Sequence, residues 1–231
     1  ALLLTSCSYG DDEIFNVGVS QCSQDEWRDK MNAEMQREAM LSHKISLEIR
    51  SANDDSHKQK EDIAYFIDKK VDLLIVSPNE AGEVTPAVDE AFDAGIPVVV
   101  VDRNVTGDKY TAFISADNVQ IGHMQGQYVA GNLRPGEKVI EIKGLTGSTP
   151  AMERHDGFIA GLGDAGVEIV ASIDAEWSSD LACQLTDSLL RIYPDVSMIV
   201  AQNDPMANGA YRAAEALYPR NDIKFIGVDA L

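Results

Sequence analysis

Several things are scarce in this chain. Basic charge is one: 19 Lys and Arg stand against 38 Asp and Glu in 231 residues, a formal net charge of −19. Such a field repels phosphate backbones and argues against a nucleic-acid partner. Cysteine is another, with three residues. Cys7, Cys22 and Cys183 form no CxxC or CxxH spacing, so no metal site is expected. Cys22 and Cys183 read as small hydrophobes packed against their neighbours, with a disulfide left open. The four histidines (His43, His57, His123, His155) are scattered along the chain and suit ordinary surface or helix positions. Long apolar runs are missing too: no stretch of about 18 apolar residues exists to span a membrane. There is no initiator Met and no basic region before the opening Ala1-Leu-Leu-Leu-Thr-Ser-Cys7. That opening reads as the tail of an export signal, with Cys7 the candidate for lipidation; a signal anchor or a stray apolar terminus are the alternatives. Residues 8–13 follow as a polar, acidic linker.

The rest is ordinary globular sequence, 45% apolar, in which strand and helix patterns alternate. The most informative run is Pro97-Val-Val-Val-Val101, which ends in Asp102 and Arg103. A continuous apolar strand without alternation is buried on both faces, as in a parallel sheet covered by helices. Strands are expected at Ile14–Ser20, Ile45–Ser51, Val71–Ser77, Val98–Asp102, Phe113–Ser115, Lys138–Lys143, Val167–Ile173, Met198–Ala201 and Lys224–Val228. Helices are expected near 25–42, 56–69, 82–94, 118–133, 150–164, 179–192 and 205–217. Repeated βα units mean an α/β fold with parallel sheets. The pattern restarts near Ala116-Asp117. This predicts a first lobe over 14–116 and a second over 117–231, with a ligand cleft and hinge between them.

Helix starts carry local signals. Ser23 and Glu26 have capping-box spacing, and Asp117 with Gln120 has a related one. Thr149-Pro150 and Asp204-Pro205 each place a capping residue before proline. Gly144-Leu-Thr-Gly-Ser-Thr-Pro150 lacks the Lys of a phosphate loop and reads as a tight turn feeding a helix.

In open α/β sheets ligands bind beyond the carboxyl ends of the strands. The residues expected there are Gln24 and Trp27, Ser77 and Asn79, Asp102 and Arg103, Arg154, Trp177, Asn203 and Asp204, and Asp229. The set holds Asp, Asn, Arg and two Trp, with no nucleophile beside a base. That is a kit for a sugar: bidentate groups for adjacent hydroxyls and flat apolar faces for the C–H side of a ring. Each residue also has a plainer reading. Asp102 and Arg103 could be a loop ion pair. Trp27, Met31 and Met35 share helical spacing and could form a core stripe. Asp204 suits an N-cap better than a ligand contact, which leaves Asn203 freer. Arg154 could pair with a surface acid.

The ordered set Ile96-Pro-Val-Val-Val-Val-Asp-Arg103, Ser115-Ala-Asp-Asn118, Gly147-Ser-Thr-Pro-Ala-Met-Glu-Arg-His-Asp-Gly-Phe158, Ala201-Gln-Asn-Asp204 and Gly227-Val-Asp229 resembles the ribose-type periplasmic sugar-binding proteins. The resemblance implies a periplasmic binding protein of type I, two Rossmann-like lobes that close on a monosaccharide with no cofactor and no catalysis. It also implies roles. Asp102, Arg103, Arg154, Asn203 and Asp229 would bond sugar hydroxyls. Trp27 and Trp177 would sandwich the ring, and Gln24 would add a contact. Ribose binders carry Asn-Pro-Phe-Phe in the first loop, where this chain has Gln24-Asp-Glu-Trp27. The variant is more similar to the sugar-sensing domains of Bacteroides-type hybrid histidine kinases, including a fructose sensor. The implied partners are such a kinase's transmembrane region or an ABC permease, in a Gram-negative periplasm, with membrane contact only through an N-terminal anchor. Family members continue past the Gly-Val-Asp strand, so the chain reads as C-terminally truncated. A sugar-responsive repressor would need an N-terminal DNA-binding helix pair that residues 1–13 cannot supply. An enzyme would need a cofactor fingerprint or an activated nucleophile.

Overall fold

The computed structural model describes residues 14–217 and 222–230. Cys7, the candidate for lipidation, and the linker at 8–13 lie outside the described residues. The chain divides into two compact units, one ending at Ile114 and one starting at Ser115.

Unit 1 is built as β1 (Phe15–Gln21), α1 (Glu26–Ser42), β2 (Ile45–Ser51), α2 (Ser56–Lys69), β3 (Leu73–Ser77), α3 (Ala81–Asp93), β4 (Val98–Val101) and β5 (Ala112–Ile114). Its five strands are all parallel, in the order β2-β1-β3-β4-β5. Unit 2 runs α4 (Asn118–Asn132), β6 (Lys138–Lys143), α5 (Thr149–Leu162), β7 (Glu168–Asp174), α6 (Ser179–Ile192), β8 (Met198–Ala201), α7 (Asp204–Leu217) and β9 (Lys224–Ile226). Its four strands are parallel in the order β7-β6-β8-β9. In both sheets the first strand lies between the second and the third. Each sheet therefore has a switch point, at β1/β3 and at β6/β8, where the loops diverge and leave a crevice.

Apolar runs set the cores. In unit 1, Leu74, Val76, Val98 and Val100 pack against Ile63, Phe66, Val84 and Val88 of α2 and α3. Gly18 on β1 lets α2 settle closely, since a Cβ there would lie 2.6 Å from the Phe66 ring. In unit 2, Ile140, Ile142, Ile199 and Ala201 pack against α6 and α7, and Val139, Met198 and Val200 against α4 and α5. α4 and α5 touch backbone to backbone. A Cβ on Gly122 would sit 2.0 Å from the carbonyl of Arg154, and one on Gly157 would sit 2.1 Å from that of Val119.

Strand and helix identities match the sequence expectation throughout. The caps differ by a residue or two. The N-cap of α1 is Asp25, whose carboxylate accepts from the Arg28 N–H, while Ser23 donates its hydroxyl to Asp25. A carboxylate is the stronger acceptor for a helix N-terminus and displaces the serine. Asp117 does cap α4, accepting from Gln120 N–H. α5 is preceded by Ser148 rather than capped by Thr149, and the Ser148 hydroxyl turns back to Leu145 O at 2.6 Å to close the tight turn. The side chain that caps α7 is Asn203, not Asp204: its Oδ1 accepts from Met206 N–H at 2.9 Å. Asp204 instead donates its backbone N–H to Val228 O.

Candidate functional site

The carboxyl end of the unit 1 sheet gathers five charged groups. Asp102 follows β4 with φ at +66°, a left-handed conformation that turns the chain sharply as the strand ends. One oxygen of its carboxylate accepts from the Arg28 guanidinium at 2.9 Å. Arg28 comes from the first turn of α1 and is 3% exposed. Its Nε donates to the Cys22 sulfur at 3.0 Å. Burial works against the charge on Arg28, but attraction from Cys22, Asp102 and Asp25 outweighs it and raises the guanidinium above its ordinary value. Arg103, also buried, donates to the Asn79 carbonyl at 3.1 Å. Asp102 and Arg103 thus each have a partner from another segment, Arg28 of α1 and Asn79 of the loop after β3, which a bare loop ion pair would not predict. Asp54 completes the cluster. Its backbone N–H bonds Cys22 O, and its carbonyl accepts from the Asn79 amide at 3.1 Å. Burial raises its carboxyl above the ordinary value; Arg103 and Arg28 pull it down, and Asp25 pushes it up.

Arg28 was not among the residues expected from sequence. The buried stripe of α1 is headed by Arg28 and ends at Ala39, with Met35 half-buried along it. Trp27 lies off that stripe, 37% exposed, with the Arg28 guanidinium 5.2 Å from its ring centre. The stripe considered above is therefore corrected at its head: Met31 and Met35 are half-buried, but Arg28, neutralised by Asp102, faces inward in place of Trp27. Cys22 is buried as expected but also serves as a hydrogen-bond acceptor, so it is more than a small hydrophobe. Gln24 is exposed in the loop before α1.

Unit 2 presents its own cluster. Arg154 is buried on α5. Its Nε donates to Asn118 Oδ1 at 3.0 Å, and another guanidinium nitrogen donates to the Gln202 carbonyl. It lies in the interior and not on the surface. The glycine contact between α4 and α5 is what brings Arg154 to Asn118. Trp177 follows β7, and both Glu176 and Trp177 have positive φ, at +52° and +65°. This kink is held by Asp174, which accepts from Glu176 N–H and from Thr146 N–H, both at 2.8 Å. The indole lies flat over Gly144, where a Cβ would come within 2.1 Å of it. The Arg154 guanidinium stands 5.7 Å from the indole centre. Asn203 caps α7 and its amide reaches Trp177 O at 3.4 Å, so it is less free than the sequence suggested. Asp229 sits exposed just after β9, with φ at +103°.

Each unit therefore offers a buried arginine, a tryptophan with an arginine beside it, and carboxylates or amides at strand ends. Among the described residues no group of three or more His, Cys, Asp or Glu is arranged to hold a metal ion. The chemistry available is hydrogen bonding from fixed donors and acceptors together with stacking.

A family model described as a periplasmic binding protein domain matches residues 17–231. The chain belongs to that family. Membership implies an extracytoplasmic location. The ribose import binding protein of Bacillus subtilis is 33% identical over 178 residues, covering 77% of this chain and 57% of that protein. The galactofuranose-binding protein of Escherichia coli is 27% identical over 226 residues, covering 93% of this chain and 71% of that one. Among solved structures, the fructose-binding periplasmic domain of a hybrid two-component system superposes with a TM-score of 0.91 at 49% identity, covering 94% of this chain and 73% of that one. The chain spans a little over half the length of the ribose import binding proteins it matches, 57% for Bacillus subtilis and 53% for Escherichia coli.

Proposed function

We propose that this chain carries the monosaccharide-binding function of an extracytoplasmic sugar sensor, with fructose as ligand, coupled to a hybrid two-component histidine kinase. The observation that carries this reading is the 49% identity, over 94% of the chain, to a domain described as fructose-binding and part of such a system. The site chemistry supports it. Asp102 and Arg103 on one unit, with Arg154, Asn203 and Asp229 on the other, supply acceptors and donors for ring hydroxyls. Trp27 and Trp177 supply the apolar faces, and Gln24 a peripheral contact. Binding would bring the two units together on the sugar, and that closure would be the signal. An anchor at Cys7 would hold the domain at the membrane of a Gram-negative periplasm.

We further propose that the sugar is taken as a five-membered ring. Similar structures at 31% and 28% identity are described with fucofuranose and arabinofuranose bound. A second reading, the substrate-binding lipoprotein of an ABC sugar importer, is favoured by the likeness to import binding proteins for ribose and fructose at 33% and 30% identity. In that case the partner is a permease.

Isothermal titration of the full-length domain tests the ligand. Fructose and 2,5-anhydromannitol, which is locked in the five-membered form, are expected to bind, and glucose to bind far more weakly. No heat with fructose and no thermal shift would overturn the assignment. Binding of fructose but not of 2,5-anhydromannitol would overturn the ring form alone. The gene downstream distinguishes sensor from importer: a membrane helix and kinase in one case, a short remainder in the other.

A further inference from the structure

Two buried glutamines stand behind the arginines of the two units, and neither was singled out by sequence pattern. Gln59, on α2, is fully buried. Its amide nitrogen donates to Ser77 O at 2.8 Å and to Ser20 O at 3.4 Å, which joins the ends of β3 and β1 across the switch point. Its Oε1 accepts from Asn79 N–H at 2.8 Å. The other side of Asn79 receives Arg103, through its carbonyl at 3.1 Å and its Oδ1 at 3.4 Å. Gln202, just after β8, is 1% exposed. Its Oε1 accepts from Gly144 N–H at 2.9 Å and its amide nitrogen donates to Ala151 O at 3.0 Å, which joins the loop after β6 to the start of α5. Its own carbonyl receives Arg154.

The two brackets are chemically alike although their glutamines come from different elements. Both sit at the switch point and bond backbone groups of two segments that meet there. Both also fix the carbonyl on which a buried guanidinium rests. A carboxamide suits this place because it donates and accepts at once and carries no charge to bury. A buried backbone N–H or C=O left without its partner is costly, so each glutamine resists displacement. A guanidinium seated on a carbonyl follows that carbonyl. A small shift of Asn79 or of residue 202 re-aims Arg103 or Arg154.

We propose that Gln59 and Gln202 are positioning residues for the sugar-binding arginines, Gln59 acting on Arg103 through Asn79 and Gln202 on Arg154 through its backbone. The proposal rests on the sugar-binding reading above. It is tested in the full-length domain by a double-mutant cycle on fructose affinity, using Gln59→Met with Arg103→Lys, and Gln202→Met with Arg154→Lys. Methionine keeps the length of the side chain and removes its hydrogen bonds. Each methionine variant is expected to weaken binding by about 10- to 100-fold. In the matching lysine background it should weaken binding less than about threefold further, because the arginine it positions is already gone. The crossed pairs, Gln59→Met with Arg154→Lys and Gln202→Met with Arg103→Lys, are expected to multiply their effects. A purely architectural glutamine would give the same loss in every background, and that result overturns the proposal, as does unchanged affinity in both methionine variants. If one variant does not fold, the other is read alone; if neither folds, both glutamines are architectural and the proposal fails. Wild-type protein that binds no fructose overturns the sugar reading instead, independently of the variants.

Discussion

The two units share a plan but differ in how their sheets are covered. In unit 2, α4 and α5 bury one face and α6 and α7 the other, so that all four residues of β8 are buried. In unit 1 the described core lies on the side of α2 and α3. On the opposite face Leu73, Ile75, Val99 and Val101 are only half-buried, and among the described residues α1 is the helix on that side. A parallel sheet is stable when both faces are covered. The clusters at the carboxyl ends are hydrogen-bonded in both units all the same. Hydrogen bonding at the strand ends therefore builds each cluster, without depending on how completely the sheet beneath is covered.

The largest expected effect tests whether the two halves are equivalent for binding. Arg103→Ala and Arg154→Ala should each cost about 2–5 kcal/mol of sugar affinity, because each withdraws charged donors from the sugar's hydroxyls. Arg154→Ala also orphans Asn118 Oδ1 and the Gln202 carbonyl, which lowers folding stability rather than affinity. Titration calorimetry measures both losses of affinity. A loss confined to one variant would show that one unit dominates recognition.

A second substitution should break unit 2 and spare unit 1. Gly157→Ala would place a methyl 2.1 Å from Val119 O and 2.9 Å from His123 N, atoms that cannot move aside without parting α4 from α5. A loss of about 3 kcal/mol is expected, where alanine in a helix would ordinarily stabilise by roughly 0.5–1 kcal/mol. Chemical denaturation followed at Trp177 reports it. A neutral result would mean that the helices can separate freely. In that case Arg154 is not held by the glycine contact.

These two sites also mark where sequence reading succeeds and where it stops. Every strand and helix was legible, because apolar runs and capping residues are local signals and the βα alternation admits few topologies. The run Val98–Val101 with Asp102 and Arg103 pointed to a strand end, and the structure has one there. The caps were misplaced at Ser23, Thr149 and Asp204 because several polar residues compete at each helix start, and geometry alone picks the winner. Arg28, Gln59 and Gln202 were not legible at all. Their roles depend on what they meet across the sheet: Asp102 is 74 positions from Arg28, and Gly144 is 58 from Gln202. Arg28 even ran against expectation, since a guanidinium heading a buried stripe makes sense only once its carboxylate is known.

Hydrogen exchange sharpens the comparison of coverage, with a more modest expected effect. Amides of β3 and β4 should exchange faster than those of β6 and β8 in the 1–231 chain, by about 10-fold, as their sheet opens with less apolar surface to lose. Equal protection would mean that the half-buried face of unit 1 costs nothing.

The smallest effect concerns the crowded end of unit 1. Asp54 lies in the field of Asp25, Arg28 and Arg103. Burial, the largest influence, raises its carboxyl above the ordinary value. A carboxyl raised on folding binds its proton more tightly in the folded state. Its contribution to stability is complete below the ordinary carboxylate range and is lost as pH rises through the raised value. Asp54→Asn should therefore leave the melting temperature unchanged near pH 3.5 and raise it by about 1–2 °C at pH 7. The gain is small because Asp54 remains exposed to solvent along one side. A fall in melting temperature at pH 7 would show that attraction to Arg28 and Arg103 outweighs burial. The unit 1 cluster would then be held together by its charges, rather than by the backbone bonds of Asp54 and Asn79.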